Sequence, residues 1–343
     1  MAGSDKTQKK RRAAPRGVTM EAVGRMAGVS QVTVSRALSD PSKVSADTLR
    51  RINEAIAATG FVPNAIAGAL ASSKSRLISA LVPSITNTVY ASLVRAFSAR
   101  MREADYQILL SETGLDPEEE ERTIAAHLSR RPDAILLTGI HHSPRSRQML
   151  LASGIPVVEV WDVTNSPIDI CVGFNHEATG QAAAAFAHEQ GHATAATIHA
   201  IDERAHRRSQ AFATRFAELT GTTATVVPTE SMATIAQGRA AMARLLDTGF
   251  RKGFVHCSSD VMAHGVIIES TVRGFSVPED IAVLGFGDQE FAGHVVPTIS
   301  TIRVDREAFG RTAAEALLDR LDGGRDNAGT VDLGFEIVRR DSA

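Results

Sequence analysis

The sequence predicts a small all-α helix-turn-helix headpiece followed by an α/β core of two doubly wound parallel-sheet subdomains. Three observations carry this reading. The first sixty residues hold three short helical stretches separated by capping residues and a tight glycine turn. From Leu77 onward, apolar runs of strand length alternate with amphipathic stretches, the pattern of parallel sheets covered by helices. Charge is split between the parts: residues 1–76 hold 13 Lys and Arg against 5 Asp and Glu, the remainder 24 against 34. A basic segment of net +8 on a body of net −10 favours a localised contact with a polyanion.

A chain of 343 residues suits two or three folded units. Its 43% hydrophobic and 22% charged content is that of an ordinary soluble globular protein, which sets aside fibrous and disordered classes. No run approaches the ~18 apolar residues of a membrane span. The N-terminus, "MAGSDKTQKKRRAAPRG", is basic but has no apolar stretch of the kind a secretory signal needs. Cys171 and Cys257 fall in no metal or redox spacing, and such sparse usage suits a reducing cytoplasm. Residues 1–16 read as a disordered basic tail, either adding phosphate attraction or playing no specific role.

Residues 17–62 contain the headpiece. Thr19 caps a short helix with Val23 and Met26 on its inner face, and Gly28 breaks it. Ser30 caps a second helix from Gln31, and Ser45 a third that carries Leu49, Ile52 and Ile56 before Gly60. In the second helix, Val34, Ala37 and Leu38 form a narrow buried stripe. That leaves Gln31, Val32, Thr33, Ser35 and Arg36 facing outward. A second helix of this kind enters the DNA major groove with its N-terminal residues at base edges. Arg36 suits bidentate pairing with guanine, Gln31 a base edge and Val32 a thymine methyl. Thr33 and Ser35 are sized for phosphates.

Residues 63–76 open with "PNAIAGALASSKS". Pro63 can start a helix, but Gly68 and the small residues keep it marginal in isolation. This segment is a hinge that folds on DNA, or merely a linker. The candidate DNA-contacting set is Thr19, Ser30, Gln31, Val32, Thr33, Ser35 and Arg36, which a family resemblance extends to Asn64, Ala67 and Leu70.

The stretches "VTMEAVGRMAGVSQVTVSRAL" and "VSADTLRRINEAIAATGFVPNAIAGALAS" resemble the headpiece of LacI/GalR-type transcriptional regulators, and the likeness runs from Val18 to about Arg340. The resemblance implies base reading by Gln31, Val32 and Arg36, and a minor-groove wedge at Leu70. It also implies a hinge helix and a periplasmic-binding-protein-like core. Ala22 stands where an Asp is usual, and Gly68 where the hinge usually carries Arg or Gln. The reading is a repressor bound as a homodimer to a palindromic double-stranded operator. Whether dimers pair into tetramers stays open.

In the body, "LISALVP", "YQILLS", "DAILLTG" and "IPVVEV" are strands, followed by a second series, "TAATIHA", "ATVVP", "GFVHCSS" and "IAVLGFG". A helix near 88–104 places Val89, Leu93, Phe97 and Met101 on one stripe. The effector-binding and dimerisation core spans 77–343, with an N-subdomain of 77–175 and 305–332 and a C-subdomain of 176–303 and 335–341. The chain joins them near Asn175 and Val304, and the family resemblance implies crossing strands and a late helix at about 305–322 that returns to the first half.

Ligands of open parallel sheets sit beyond the carboxyl ends of strands. Those ends hold Ser84, Thr86, Asn87, Ser111, Glu112, His141, His142, Trp161, Asp162, His199, Ser259, Asp260, Gly287 and Asp288, with Arg204 and Arg208 nearby. So many hydrogen-bonding groups around one tryptophan suit a polyhydroxylated small molecule. "LVPSITNTVYASLVRAF", "GIHHSPRSRQML", "GIPVVEVWD", "IDICVGF" and "DERA" look like the gluconate-repressor branch. That likeness implies effector contacts at Ser84, Asn87, His141, Trp161, Arg204, Arg208, Asp260 and Gly287. Sugar-responsive relatives commonly carry an Asp where Gly287 stands. Its absence, with Arg204 and Arg208 opposite His141, points to a sugar acid such as gluconate.

Two other classes compete. "HEQGH", His188 to His192, matches the zinc-hydrolase pattern, which needs both histidines on one helix. Gly191 is a helix stop there, and no other catalytic motif occurs, so neither an enzyme nor a cofactor is expected. A free-standing sugar-binding protein fits the body but not the headpiece.

Overall fold

Side-chain caps set the boundaries of the first three helices. In the computed structural model, which describes residues 17–63, 74–324 and 329–343, α1 spans Met20–Ala27 and the Thr19 hydroxyl accepts from the Ala22 N–H. Gly28 ends α1 in the left-handed region, φ +67°. α2, Gln31–Ser39, starts where Ser30 Oγ accepts from the Thr33 N–H at 3.2 Å. α3, Ala46–Thr59, is capped by Ser45 and closed by Gly60. The three helices bury Val23, Ala27, Val34, Ala37, Ile52, Ala55 and Phe61. The turn between α1 and α2 is tight because Gly24 has no side chain: a Cβ there would lie 2.8 Å from the Val29 carbonyl.

Two expectations for this unit are corrected. Met26 is 60% exposed, because Val23, Gly24 and Ala27 share the inward stripe and Met26 is rotated off it. Leu38 is likewise exposed: α2 buries the i, i+3 pair Val34 and Ala37, and Leu38 falls outside it.

The described residues fall into two separate compact units, divided between Ser75 and Arg76. The larger holds two six-stranded sheets. The first is ordered β11-β5-β4-β3-β1-β2 and all parallel, from β1 (Leu77–Val82), β2 (Gln107–Glu112), β3 (Ala134–Thr138), β4 (Val157–Val160), β5 (Ile170–Gly173) and β11 (Gly329–Asp332). The second is ordered β12-β10-β9-β8-β6-β7, from β6 (Ala195–His199), β7 (Thr225–Pro228), β8 (Gly253–Cys257), β9 (Ile281–Phe286), β10 (Ser300–Arg303) and β12 (Glu336–Val338). There β12 alone runs antiparallel.

Their central strands are mainly apolar and buried on both faces, as helices on either side of a parallel sheet require, with Glu159 in β4 and His256 in β8 as buried polar exceptions. α4 (Thr88–Glu103) packs beside α11 (Arg306–Leu321), which brings the chain back to the first sheet. α5 (Pro117–Leu128), α6 (Pro144–Ser153), α7 (His176–Glu189), α8 (Glu203–Thr220), α9 (Ile235–Asp247) and α10 (Asp260–Val272) complete the set of described α-helices. β5, β10, β11 and β12 were not among the eight strands expected from the sequence.

Candidate nucleic-acid interface and ligand cleft

On α2, Gln31, Val32, Ser35 and Arg36 are exposed together, with Val32 at 66%. Thr33 is half-buried, its hydroxyl already 2.9 Å from Ser30 Oγ. Among the described residues, ion pairs of this unit join Arg50 to Asp47 and Glu54, Arg51 to Asp47, and Lys43 to Asp40. None engages Arg36, so its guanidinium remains available to an outside acceptor. Asn64, Ala67 and Leu70, like the basic tail, lie outside the described residues.

In the larger unit, the carboxyl ends of both sheets open onto a cavity of about 630 Å³. Ser84 and Asn87 reach it from the loop after β1, Asn87 also accepting from the Val89 N–H to start α4. Trp161 follows β4 in the left-handed region, φ +77°, and sets its indole edge-to-face against Tyr90, Phe174 and Phe309 at 5.5–5.8 Å. Arg204 and Arg208 come from successive turns of α8, and both are more than nine-tenths buried.

Each arginine is fixed by neutral partners. Arg208 donates through one terminal nitrogen to His176 Nδ1 at 2.8 Å and through the other to the Ser258 carbonyl at 3.1 Å. Its guanidinium lies 4.0 Å from the centre of the Phe286 ring. His176 Nε2 donates to the Trp161 carbonyl at 2.9 Å, so Nδ1 is the acceptor. Burial, and then the neighbouring arginines, hold the His176 pKa well below its usual value, which keeps the ring neutral. Burial also lowers Arg208 to about 10, still charged at neutral pH.

Arg204 donates to the Tyr90 hydroxyl at 2.9 Å. Burial pulls its pKa down, but Tyr90 and the carboxylates of Asp202, Asp162 and Glu203 outweigh that and leave it raised. Arg208 Nε and one terminal nitrogen of Arg204 are buried without a partner. The ion pairs of α8 use Arg207 and Arg215 instead, and among the described residues neither Arg204 nor Arg208 has a carboxylate partner. Two buried cations with open N–H groups are what an anionic ligand requires.

The headpiece and cleft together match known proteins. Residues 19–64 match the bacterial regulatory proteins of the lacI family, and residues 184–343 a periplasmic binding protein-like domain. An HTH-type transcriptional regulator GntR from Pseudomonas aeruginosa is 35% identical, covering 94% of this chain and 95% of its own. The chain belongs to the LacI family. A GntR from Escherichia coli is 32% identical over 90% of this chain and 94% of its own. The crystal structure of a LacI-family regulator from Silicibacter pomeroyi superposes with a TM-score of 0.89 at 29% identity, covering 95% and 99% of the two chains.

This LacI-family chain is therefore a DNA-binding transcriptional regulator and not an enzyme. The "HEQGH" stretch conforms to that. α7 stops at Glu189, Gly191 turns the backbone with φ +81°, and the His192 ring packs against Phe254 instead of facing His188. Among the described residues no helix is long and apolar enough to cross a membrane.

Of the eight residues singled out for effector contact, Ser84, Asn87, Trp161, Arg204 and Arg208 line the cavity. His141, Asp260 and Gly287 do not. His141 borders an adjoining cavity and faces Glu203 at 3.5 Å. His142 turns inward to Glu120, and Ser111 to His127. Gly287 adopts φ +115°, where any side chain is strained, so an Asp at this position would test backbone strain as much as charge. Asp288 turns away to Arg303 and Arg340. The cavity also draws on Tyr90, Phe286 and Gln289, which sequence reading missed because they are not strand-end polar groups of the first rank.

Asp260 is a correction with a consequence. Its Oδ1 accepts from the Thr301 hydroxyl at 2.5 Å and its Oδ2 from the Gln289 N–H at 2.7 Å, so the carboxylate braces the loop after β9. Burial pushes its pKa up to about 6. A carboxyl raised by folding stabilises the fold fully below the unfolded pKa, and that contribution is lost as pH rises through the folded value. Unfolding stability should therefore fall between about pH 4 and 6 from this group. Asp260→Asn, measured by denaturant titration across that range, should flatten the slope; an unchanged slope would show that Asp260 does not cause it.

Proposed function

We propose that this protein is a repressor of a carbohydrate or sugar-acid operon, controlled by a gluconate-type acid bound beside Arg208. The observation that carries the reading is the pair of buried, unpaired guanidiniums at the strand ends, joined there by hydroxyls and one indole face. The likeness to GntR-named relatives supports it. Gln31, Val32 and Arg36 read bases, Thr19, Ser30, Thr33 and Ser35 fix register on phosphates, and Asn64, Ala67 and Leu70 act at the hinge, residues 63–76. The functional unit is a homodimer on a palindromic site, since symmetric operators mirror a protein two-fold.

The test is operator binding followed by anisotropy, with the effector added in a second titration. Gluconate should change operator affinity and glucose should not. Arg36→Ala should cost about 1–3 kcal/mol and relax preference at one position per half-site. Wild-type affinity and consensus in Arg36→Ala would overturn the readout assignment. An operator affinity insensitive to every sugar acid would overturn the effector.

A further inference from the structure

Resting on that reading, we infer that the effector is an aldonic acid carrying a neutral glycosyl group, its acid end at Arg208 and its glycosyl end in a second cavity beyond Arg204. The second cavity, about 420 Å³, adjoins the first and shares Arg204 and Asp202 with it. Pockets of roughly 300–1,000 Å³ serve drug-sized ligands, so the inner cavity alone suffices for a six-carbon acid and the outer adds room for a ring.

Arg204 is built to serve both. One terminal nitrogen donates to Tyr90 on the inner side, while the other is buried without a partner. That open nitrogen points to the outer cavity: a Cβ on Gly139, which lines the outer cavity, would lie 3.4 Å from it. An unpaired buried N–H of this kind costs free energy until a ligand oxygen accepts from it.

The rest of the outer wall is acceptor-rich. Beside Asp162, whose two oxygens are taken by the Val163 N–H and by Arg207, Asp116, Glu120, Asp202 and Glu203 line it. Their hydrogen bonds and ion pairs within the chain run through a single oxygen each, Oδ1 of Asp116 and Asp202 and Oε1 of Glu120 and Glu203. An ionised carboxylate offers about four lone-pair sites, so capacity remains for hydroxyl donors. These lining carboxylates also repel a second acidic group. The inner end selects a negative charge, and the outer end selects hydroxyls and rejects one. A ligand with acid at both ends, such as glucarate, fits poorly.

Trp161 is the single tryptophan of the sequence and lines the inner cavity, so its emission reads occupancy without a label. Full-length protein titrated with gluconate, cellobionate, cellobiose and glucarate should bind cellobionate at least tenfold more tightly than gluconate. Cellobiose and glucarate should bind far more weakly than either. Ile201, exposed and lining the outer cavity only, gives the control: Ile201→Trp would confuse the fluorescence, so Ile201→Tyr is used. It should remove the cellobionate advantage and leave gluconate affinity unchanged. If gluconate binds and cellobionate binds no better, the glycosyl assignment fails while the acid reading stands. If cellobiose equals cellobionate and gluconate does not bind, the acid reading itself fails. Ile201→Tyr weakening both acids alike would overturn the division of labour between the cavities.

Discussion

Arg208→Gln is expected to abolish recognition of the acid effector while leaving the protein folded. Arg208 is the cation that the inner cavity holds most rigidly, through His176, Ser258 and the Phe286 ring. Among the described residues no carboxylate of the chain forms an ion pair with it, and under the proposed function an acid ligand would supply the counter-charge. Truncating one partner of a buried charge pair typically costs about 2–5 kcal/mol. In the dissociation constant for gluconate that is a loss of roughly 30-fold to several thousand-fold.

The fold should tolerate the change, because removing a buried cation with an open N–H relieves a desolvation cost in the unliganded state. Arg208→Lys should fail almost as badly: the ammonium keeps the charge but lacks the planar fork that engages a carboxylate through two bonds. Calorimetry on both variants, with thermal melts as the folding control, decides the matter. A gluconate affinity within twofold of the parent in a well-folded Arg208→Gln would remove Arg208 from the site.

Phe174→Ala should produce the largest loss of stability in the core. The ring is fully buried just after β5, where the chain leaves the first sheet for the second. It stacks on Phe309 at 5.7 Å, meets Trp161 edge-on at 5.5 Å, contacts His176 at 4.3 Å and lies 5.8 Å from Phe286. Residues from both halves therefore share one aromatic centre, and no single neighbour can collapse into the space it would leave. A buried Phe→Ala change costs about 3–5 kcal/mol through lost transfer free energy and the residual cavity.

For a unit of this size each kcal/mol lowers the melting temperature by roughly 2–4 °C, so a fall on the order of 10 °C is expected by calorimetry. The same change should weaken effector binding, since Trp161 and His176 both rest on this ring. A melting temperature within about 2 °C of the parent would show that the cluster is not the keystone its geometry describes.

Local chemistry was enough to read much of this protein from its sequence. Thr19, Ser30 and Ser45 accept their helix-start N–H groups wherever the chain goes, and Gly28 and Gly60 end helices because only they enter the left-handed region cheaply. The eight legible strands are predominantly apolar runs, even β4 and β7 with only four residues each. β10, β11 and β12, reading "STIR", "GTVD" and "EIV", are three or four residues long and partly polar. Only pairing with β9, β5 and β10 makes them strands.

The site divides along the same line. Strand ends mark where a ligand sits in any open parallel sheet, so Ser84, Asn87 and Trp161 could be named from position alone. The direction of a side chain could not. Asp260 looked like a ligand and is a brace, because Thr301 and the Gln289 N–H are its neighbours only in three dimensions. His141 and Arg208 looked like partners, yet His141 opens onto the cavity beyond Arg204. That Arg204 and Arg208 are buried with neutral partners is likewise a property of packing. Charge along a sequence says nothing of which carboxylates approach it, and solvation, which decides what a charge is worth, exists only once the chain has folded.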